Sequence, residues 1–461
     1  MTRLASLVHY GCRDTERSGR SGRGAHARRP TAKTGLPADR RARVAALAAL
    51  LLTVGCGGGS TAREVRFWAM GREGEVVQQL LPEFERRHPE LHVSVQQIPW
   101  SAAHEKLLTA FVGRAMPDVF QLGSTWVPEF AALGAVEPLD ARLGASSSDD
   151  YFAGILDANR IDGTTYGAPW YVDTRLLFYR TDLLAQAGFD APPTDWSTWL
   201  AALTAVKQRV GADNYAILLP VGEWQPPVIL AMQRGATLLR DRDRYGDFQS
   251  AACREAFAFY LDLFRRGLAP VSAAAEIGNL YQDFASGFFA FYISGPWNIG
   301  EFGARLPPAM TGRWATAPMP APAAGEPGLS IAGGASLALS RSARDPQAAW
   351  QLIEYLSEPA SQVEFYRLSG DLPARRAAWS DPVLTGNRYV QAFKAQLEHV
   401  RSPPKIPEWE RIASKITDYA EAAVRGTLSL DDALAALDHD VDQLLEKRRW
   451  MLERQASTGA G

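Results

Sequence analysis

Apolar and polar positions alternate with two different periodicities along the chain from residue 62 onward. Short β-branched and aromatic runs, typical of strands, are separated by longer segments whose apolar residues recur every three or four positions, as on one face of a helix. The predicted strands cover residues 65–70, 91–95, 118–122 and 176–179, with a hairpin-like turn at 163–170, and the predicted helices cover 75–88, 104–112, 196–210, 251–266, 346–366 and 412–454. This strand–helix–strand repetition predicts an α/β fold with a parallel sheet.

Two loops in this pattern are candidate binding loops. In open α/β sheets, ligands bind where the chain leaves the carboxyl ends of the strands. Residues 71–74 follow the first predicted strand, and residues 123–126 follow the third. Both loops are rich in small and polar residues, so we expect them to face a ligand.

A separate apolar run at residues 44–56 follows three arginines and ends in a cysteine. Eleven helical residues rise only about 16 Å, whereas the bilayer core is about 30 Å thick, so the run is a signal-peptide core and does not span a membrane. Its end resembles a lipobox, although Thr53 stands where leucine is usual. We therefore predict that residues 1–55 are a leader and lipoprotein signal peptide, that Cys56 carries a lipid, and that residues 56–62 form a flexible tether.

Size and charge narrow the function of the remaining 405 or so residues. This length exceeds one core and predicts two domains. Residues 1–55 hold 11 of the 49 basic and 3 of the 51 acidic residues, which leaves 38 basic and 48 acidic residues and a net charge of −10. That balance excludes a basic surface for nucleic acid. If Cys56 is lipidated, Cys253 has no partner and is predicted to be buried and inert.

The usual catalytic signatures fail in this sequence. His88 and His92 are four residues apart, but Pro89 breaks the helix that a zinc pair would need. Residues 334–338 resemble a nucleophile elbow except at the last position, where glycine is missing. There is no phosphate-binding glycine-rich loop. We therefore expect no enzymatic activity, no cofactor and no metal.

Aromatic residues outside the predicted helix cores are the more informative signal. Flat indole faces match the C–H faces of a sugar ring, and carboxylates, guanidinium groups and amides match its hydroxyl rim. Pro296, placed at a first helical turn, would put Trp297 at a helix N-terminus, where free backbone N–H groups face a polar ligand. The tryptophans and tyrosine in question are Trp126, Trp170, Tyr171, Trp224, Trp297, Trp314 and Trp409.

Short motifs in a shared order give the chain a family resemblance. From residue 65 to about 451 the sequence resembles the carbohydrate-binding extracellular solute-binding proteins of ABC importers, of which the maltodextrin-binding protein is the best known. The motifs are FW at 67–68, FERRHP at 84–89, MPDVF at 116–120, LGAVEPLD at 133–140, DGTTYGAP at 162–169, YRTDLL at 179–184, PTDW at 193–196, FASG at 284–287, ISGPW at 293–297, AGG at 332–334 and GDLPAR at 370–375.

The resemblance implies a type II periplasmic-binding-protein fold, in which two α/β lobes are joined by a hinge that the chain crosses more than once. One lobe would hold residues 61–173 and 330–375, and the other would hold residues 174–329 and 376–461. The ligand would be a mono-, di- or short oligosaccharide, bound in the cleft between the lobes. It also implies a monomer outside the cytoplasmic membrane, periplasmic or otherwise extracytoplasmic. The partner would be the permease of an ABC transporter with a separate ATPase subunit.

The same resemblance implies particular ligand contacts. Trp297 matches a sugar-stacking residue, and Trp224 and Trp409 match two others. Glu73, Asp173 and Arg375 match polar contacts in disaccharide-binding relatives. One departure is the stretch Gly123-Ser124-Thr125, where many relatives carry Asp or Asn. The full predicted set is Glu73, Ser124, Trp126, Tyr171, Asp173, Trp224, Trp297, Gly333, Gly334, Asp371, Arg375 and Trp409.

Two alternatives remain open at this point. A binding protein of this family could instead take a non-sugar solute such as a polyamine or an iron chelate. A cationic ligand of that kind would require a cleft dominated by carboxylates. From another class, a surface glycan hydrolase or lyase would form products from an oligosaccharide, which a binding protein does not.

Overall fold

The computed structural model describes residues 62–272 and 278–458. The predictions for the leader, for lipidated Cys56 and for all but the end of the tether lie outside this range. The strands are β1 Arg63–Met70, β2 Leu91–Ile98, β3 Val119–Gly123, β4 Arg160–Ile161, β5 Thr164–Thr165, β6 Ala168–Asp173, β7 Leu176–Arg180, β8 Tyr215–Leu218, β9 Leu239–Arg240, β10 Tyr245–Gly246, β11 Phe289–Ser294, β12 Trp314–Ala317, β13 Ser330–Ile331, β14 Gly333–Leu339, β15 Leu372–Pro373 and β16 Val400–Arg401.

Helices separate these strands along most of the chain. They are α1 Gly71–Val76, α2 Leu81–Arg87, α3 Trp100–Val112, α4 Val127–Ala132, α5 Asp140–Ser148, α6 Ala153–Ala158, α7 Thr181–Gln186, α8 Trp196–Val210, α9 Gln225–Gln233, α10 Ala251–Arg265, α11 Leu280–Ser286, α12 Trp297–Arg305, α13 Pro346–Leu356, α14 Pro359–Ser369, α15 Pro382–Thr385, α16 Val390–Leu397, α17 Trp409–Val424, α18 Leu430–Leu444 and α19 Glu446–Thr458.

The larger sheet has six strands in the order β15-β6-β14-β3-β1-β2. Strands β2, β1 and β3 are parallel, as predicted, and Phe67 lies opposite both Val95 and Val119. The other half of the sheet is antiparallel, because β14 runs against both β3 and β6. The prediction of a parallel sheet is therefore correct only for the N-terminal half.

The smaller sheet has four strands in the order β12-β7-β11-β8. Strand β7 is antiparallel to both of its neighbours, and β11 is parallel to β8. Its core is a large apolar cluster to which α8, α10, α17 and α18 contribute. Cys253 lies in this cluster, so the prediction of a buried cysteine is confirmed, and burial raises the pKa of its thiol to about 12, which disfavours the reactive thiolate.

Along the described residues, the strands pass between the two sheets twice, after β6 and after β12. After β15 the chain continues into helices, of which α16 contacts β12 and β7 of the smaller sheet. All strands of the larger sheet lie within 61–173 and 330–375, and all strands of the smaller one lie within 174–329. The exact boundaries of the two lobes stay a prediction.

Two predicted helices have different bounds in the structure. The segment 346–366 forms two helices rather than one, because Pro359 has no N–H to donate and its ring disfavours a helical residue before it. The C-terminal helical region begins at Trp409, three residues before the predicted start. Ser429 caps α18 by accepting a hydrogen bond from the N–H of Asp432.

Candidate ligand-binding cleft

A cavity of about 470 Å³ lies where elements of the two sheets meet. One wall consists of residues that follow β1, β2 and β3, together with the end of β6, the start of β14 and Asp371 before β15. The other wall consists of the residues at the starts of α9 and α12 and of the link between β6 and β7. A larger cavity of about 1290 Å³ adjoins it, since both are lined by Glu73, Trp100, Trp297 and Asp371. Together they form an open cleft.

The structure brings ten of the twelve predicted ligand contacts to the smaller cavity. They come from seven separate stretches of the chain, which only the fold places side by side. These residues are Glu73, Ser124, Trp126, Tyr171, Asp173, Trp224, Trp297, Gly333, Gly334 and Asp371.

Trp297 stands at the start of a helix, as its position after Pro296 predicts. Its indole ring is 40% exposed and lines both cavities. The ring packs closely on Gly295, where an added Cβ would lie 1.9 Å from Cζ3. The guanidinium of Arg175 lies over the same ring, with Cζ 4.5 Å from the ring centroid. Glycine and arginine therefore fix the orientation of an otherwise accessible indole.

A second aromatic surface faces the cavity from the larger sheet. Trp100 and Trp126 meet edge to face, with ring centroids 5.7 Å apart. His104 supports Trp126 at a centroid distance of 5.1 Å, and its pKa is raised by a hydrogen bond to Glu129. Sequence reasoning missed Trp100. It follows β2 directly, so the rule that ligands bind at strand ends would have found it if applied to every strand.

Glu73 ends a chain of buried hydrogen bonds. The Tyr171 hydroxyl donates to Oε1 of Glu73 over 2.9 Å, and Nε2 of Gln121 donates to that hydroxyl over 3.1 Å. The chain begins at the backbone N–H of Met70, which donates to Oε1 of Gln121 over 2.7 Å. Burial raises the pKa of Glu73, although hydrogen bonds from its own backbone N–H, from Tyr171 and from Trp100 oppose the shift. The carboxyl is thereby held in one orientation at the cavity wall.

Asp371 is the most strongly perturbed acid of the cleft. Burial, followed by repulsion from Glu73 and Asp173, raises its pKa to about 7, while a hydrogen bond from Ser369 opposes the rise. A carboxyl in this state exchanges its proton near neutral pH and can serve as a donor or an acceptor for a hydroxyl.

The raised pKa of Asp371 makes a testable contribution to stability. Its folded form binds the proton more tightly than the unfolded form, so this group costs stability as pH rises from about 4 through 7. We expect Asp371→Asn, which carries no charge, to gain stability relative to wild type by up to about 4 kcal/mol between pH 4 and pH 8. Urea unfolding of both proteins across this pH range measures the difference. A difference that does not change with pH would contradict the raised pKa.

The wall of the 470 Å³ cavity includes a close approach of two strands, at Ser124, Gly333 and Gly334. Gly334 has φ of +108°, and a Cβ there would lie 2.3 Å from the carbonyl oxygen of Tyr171. The Ser124 hydroxyl donates to the carbonyl of Gly334 over 3.0 Å, which leaves its oxygen to accept from a ligand. Ser124 therefore holds the backbone of the neighbouring strand β14.

Two of the predicted contacts do not line the cleft. Trp409 is 1% exposed and lies in the core of the smaller sheet, edge to face against Trp224 at 5.3 Å. Arg375 pairs with Asp150 over 2.7 Å and covers the ring of Tyr151. Trp409 therefore supports the cavity residue Trp224 from behind. Arg375 fixes the link after β15.

Two further observations concern the chain as described. Among residues 62–272 and 278–458, no three His, Cys, Asp or Glu side chains are grouped so that they could hold a metal ion. Over the same residues, no helix has the length and apolar character needed to cross a bilayer.

Comparison with known proteins agrees with this architecture. Residues 69–363 match the model of the family described as bacterial extracellular solute-binding proteins. The sugar-binding protein MalE of Xanthomonas citri is 48% identical; the match covers 85% of this chain and 99% of that one, with a TM-score of 0.82.

More distant relatives span most of the chain as well. The GacH receptor of Streptomyces glaucescens, solved unliganded and with acarbose, is 25% identical over 84% of this chain and 99% of its own, with a TM-score of 0.72. The diacetylchitobiose-binding protein DasA of Streptomyces coelicolor is 25% identical over 342 residues, which are 72% of this chain and 78% of that protein.

These matches establish the fold as the type II fold of periplasmic sugar-binding proteins, with two α/β lobes around a cleft. The family model covers more than half of the chain, and the Xanthomonas citri protein matches over almost its full length. The chain therefore belongs to the bacterial extracellular solute-binding proteins, a family of binding proteins rather than enzymes.

Proposed function

We propose that this protein captures a sugar outside the cytoplasmic membrane and delivers it to the permease of an ABC importer. The observation that carries the proposal is the composition of the 470 Å³ cavity, which is lined by both indole rings and carboxyl groups. Sugars present both an apolar face and a hydroxyl rim, and this cavity offers partners for both. The similarity to the sugar-binding protein of Xanthomonas citri supports the same ligand class.

Capture proceeds by closure of the two lobes. The sugar stacks on Trp297 of the smaller-sheet side in the open cleft. Glu73, Asp173 and Asp371 of the larger-sheet side then contact its hydroxyls, so the closed form is stabilised by its higher affinity for the ligand. Stacking and the exclusion of water provide affinity, and unpaired buried carboxyls penalise a ligand that lacks a hydroxyl.

The remaining parts of the proposal concern partners and location. The protein acts as a monomer without a cofactor and without catalytic activity. Its closed form docks on the permease, and a separate ATPase subunit drives release. A lipid on Cys56 tethers it to a membrane on the periplasmic or outer side. Membrane fractionation checks the tether, because Cys56→Ser should move the protein from the membrane fraction to the soluble fraction.

A thermal-shift screen tests the ligand class directly. A ligand that binds only the folded state raises the melting temperature by mass action. The panel contains glucose, maltose, trehalose, sucrose, N,N′-diacetylchitobiose and mannitol, with putrescine as the cationic non-sugar. We expect a clear upward shift with at least one sugar and none with putrescine.

The same samples distinguish the alternatives. A shift with putrescine alone would replace the sugar by a cationic solute. Chromatography of the oligosaccharide samples after incubation would reveal new products if the protein were a hydrolase or lyase. No shift with any sugar of the panel would contradict the proposed function.

A further inference from the structure

Arg175 is a cleft residue that the sequence patterns did not single out. It lies in the link between β6 and β7, where the chain passes from one sheet to the other. Its Nη1 donates to both carboxylate oxygens of Asp173 over 2.8 Å. Its guanidinium also lies over the Trp297 ring. Arg175 thus contacts two of the residues that we assign to the sugar.

The unused donors of this guanidinium are the informative feature. Arg175 is 15% exposed, and its Nε and Nη2 donate to no acceptor among the described residues. The carbonyl of Arg175 is fixed by a hydrogen bond of 2.6 Å from Ser330, so the backbone that carries the side chain is held in place. A guanidinium offers five N–H donors in a rigid plane, and most of them remain available here.

The other charged side chains of the cavity are all carboxyl groups. Three carboxyl groups, those of Glu73, Asp173 and Asp371, line the 470 Å³ cavity, and Arg175 is the one cation among its described lining residues. Carboxylates accept hydrogen bonds from hydroxyl protons, but a sugar hydroxyl also has an oxygen that accepts. The indole N–H of Trp100 is already directed to Glu73.

We propose that Arg175 determines sugar specificity by donating from Nε and Nη2 to two adjacent hydroxyl oxygens of the ring that stacks on Trp297, while Asp173 accepts from one of the same hydroxyls. This inference rests on the proposed function and refines it. The ligand class becomes a neutral sugar whose terminal ring carries two free neighbouring hydroxyls. A ring that is deoxygenated or methylated there leaves the guanidinium unpaired and is rejected.

Arg375 provides a matched control within the same chain. It is 17% exposed, pairs with one aspartate over 2.7 Å and lies over a tyrosine ring at 5.0 Å, but it does not line the cleft. Arg175→Ala and Arg375→Ala therefore remove the same kinds of internal contact. They differ in whether the lost guanidinium faces a ligand.

Calorimetric titration with the panel sugar that the wild type binds most tightly tests the inference. We expect Arg175→Ala to weaken binding at least tenfold, and Arg175→Lys to recover only part of that loss because an ammonium cannot replace the planar fork. Arg375→Ala should change the sugar affinity less than about twofold. It should lower the melting temperature about as much as Arg175→Ala does, because both variants lose one ion pair and one ring contact. Wild-type affinity in Arg175→Ala would overturn the inference and leave the proposed function standing.

A double substitution separates direct contact from positioning of the indole. If Arg175 merely holds Trp297, its removal in a Trp297→Ala background should have no further effect. We expect a further loss of at least about threefold, because the hydrogen bonds to the sugar are independent of the ring. No further loss would overturn direct donation. Failure of the wild type to bind any sugar of the panel would overturn the proposed function and this inference with it.

Discussion

Trp297→Ala is expected to weaken sugar binding at least tenfold, which corresponds to about 1.4 kcal/mol. The indole lines both cavities and is 40% exposed, so it is accessible to a ligand without being part of the core. Truncation removes the apolar face against which a sugar ring stacks, and truncated aromatic anchors of this kind commonly cost more than 1 kcal/mol. Calorimetric titration with the sugar identified by thermal shift measures the loss.

Trp450→Ala is the control for this experiment. Trp450 is 53% exposed on α19 and lies under Arg454, and it does not line the cleft. Both variants should unfold close to the wild-type midpoint in urea, because neither ring is buried. An unchanged affinity in Trp297→Ala would remove the indole from the binding site. An equal loss in Trp450→Ala would show that the effect is not local to the cleft.

Several of the predicted residues that line the cleft lie at strand ends or helix starts. Glu73 and Ser124 follow strands at their carboxyl ends, and Asp173 ends a strand. Trp297 follows the Gly-Pro pair that begins a helix. The positions of Glu73, Ser124 and Trp297 can be read from neighbouring residues, because strand ends and helix starts are set by local chemistry. Asp173 was predicted only from the family resemblance.

Trp409 shows how a local signal can mislead. The sequence pattern placed it outside the predicted helix that begins at residue 412, but α17 begins at Trp409 itself. Ile412, Ala413 and Ile416 follow it at helical spacing and are buried with it. Extending the apolar stripe back by one turn would have assigned this tryptophan to the core, since residues three, four and seven apart share a helix face.

Arg375 and Arg175 could not be distinguished without the fold. The partner of Arg375 is Asp150, which lies 225 residues away in the sequence. The partner of Arg175 is near in sequence, but its stacking on Trp297 joins residues 122 positions apart. Ion pairs and ring contacts of this kind depend on tertiary structure, so sequence patterns predict the type of residue in a cleft better than the contact each one makes.

The same reasoning explains the sheet topology. The β–α–β pattern in residues 65–122 correctly predicted that β1, β2 and β3 are parallel. Strand β14 enters the sheet beside β3 in the antiparallel direction, more than 200 residues later in the chain. No local periodicity encodes that return, because it depends on where the chain crosses between the two sheets.

Gly295→Ala is expected to reproduce most of the affinity loss of Trp297→Ala although the indole remains. A Cβ at residue 295 would lie 1.9 Å from Cζ3 and 2.3 Å from Cη2 of Trp297, far inside contact distance. The exposed ring can turn away from the new methyl group at little cost to the fold, so the free energy of unfolding should fall by no more than about 1 kcal/mol. Sugar affinity should fall about tenfold, because the stacking face is no longer held in the cleft.

Gly222→Ala is the control for the added methyl group. Gly222 precedes Trp224 by two residues, and a Cβ there would meet no atom within 4 Å, so both stability and affinity should stay near wild type. Calorimetry measures the sugar affinity of the two variants, and urea unfolding measures their stability. Because both variants keep the indole, a loss of affinity in Gly295→Ala alone reports the orientation of the ring. Wild-type affinity in Gly295→Ala would mean that the sugar does not use the orientation in which Gly295 and Arg175 hold the indole. The proposal that the sugar stacks on the face of Trp297 would then be wrong, even if Trp297→Ala binds weakly. An indole that contributes equally from any orientation fills space in the cleft and does not stack.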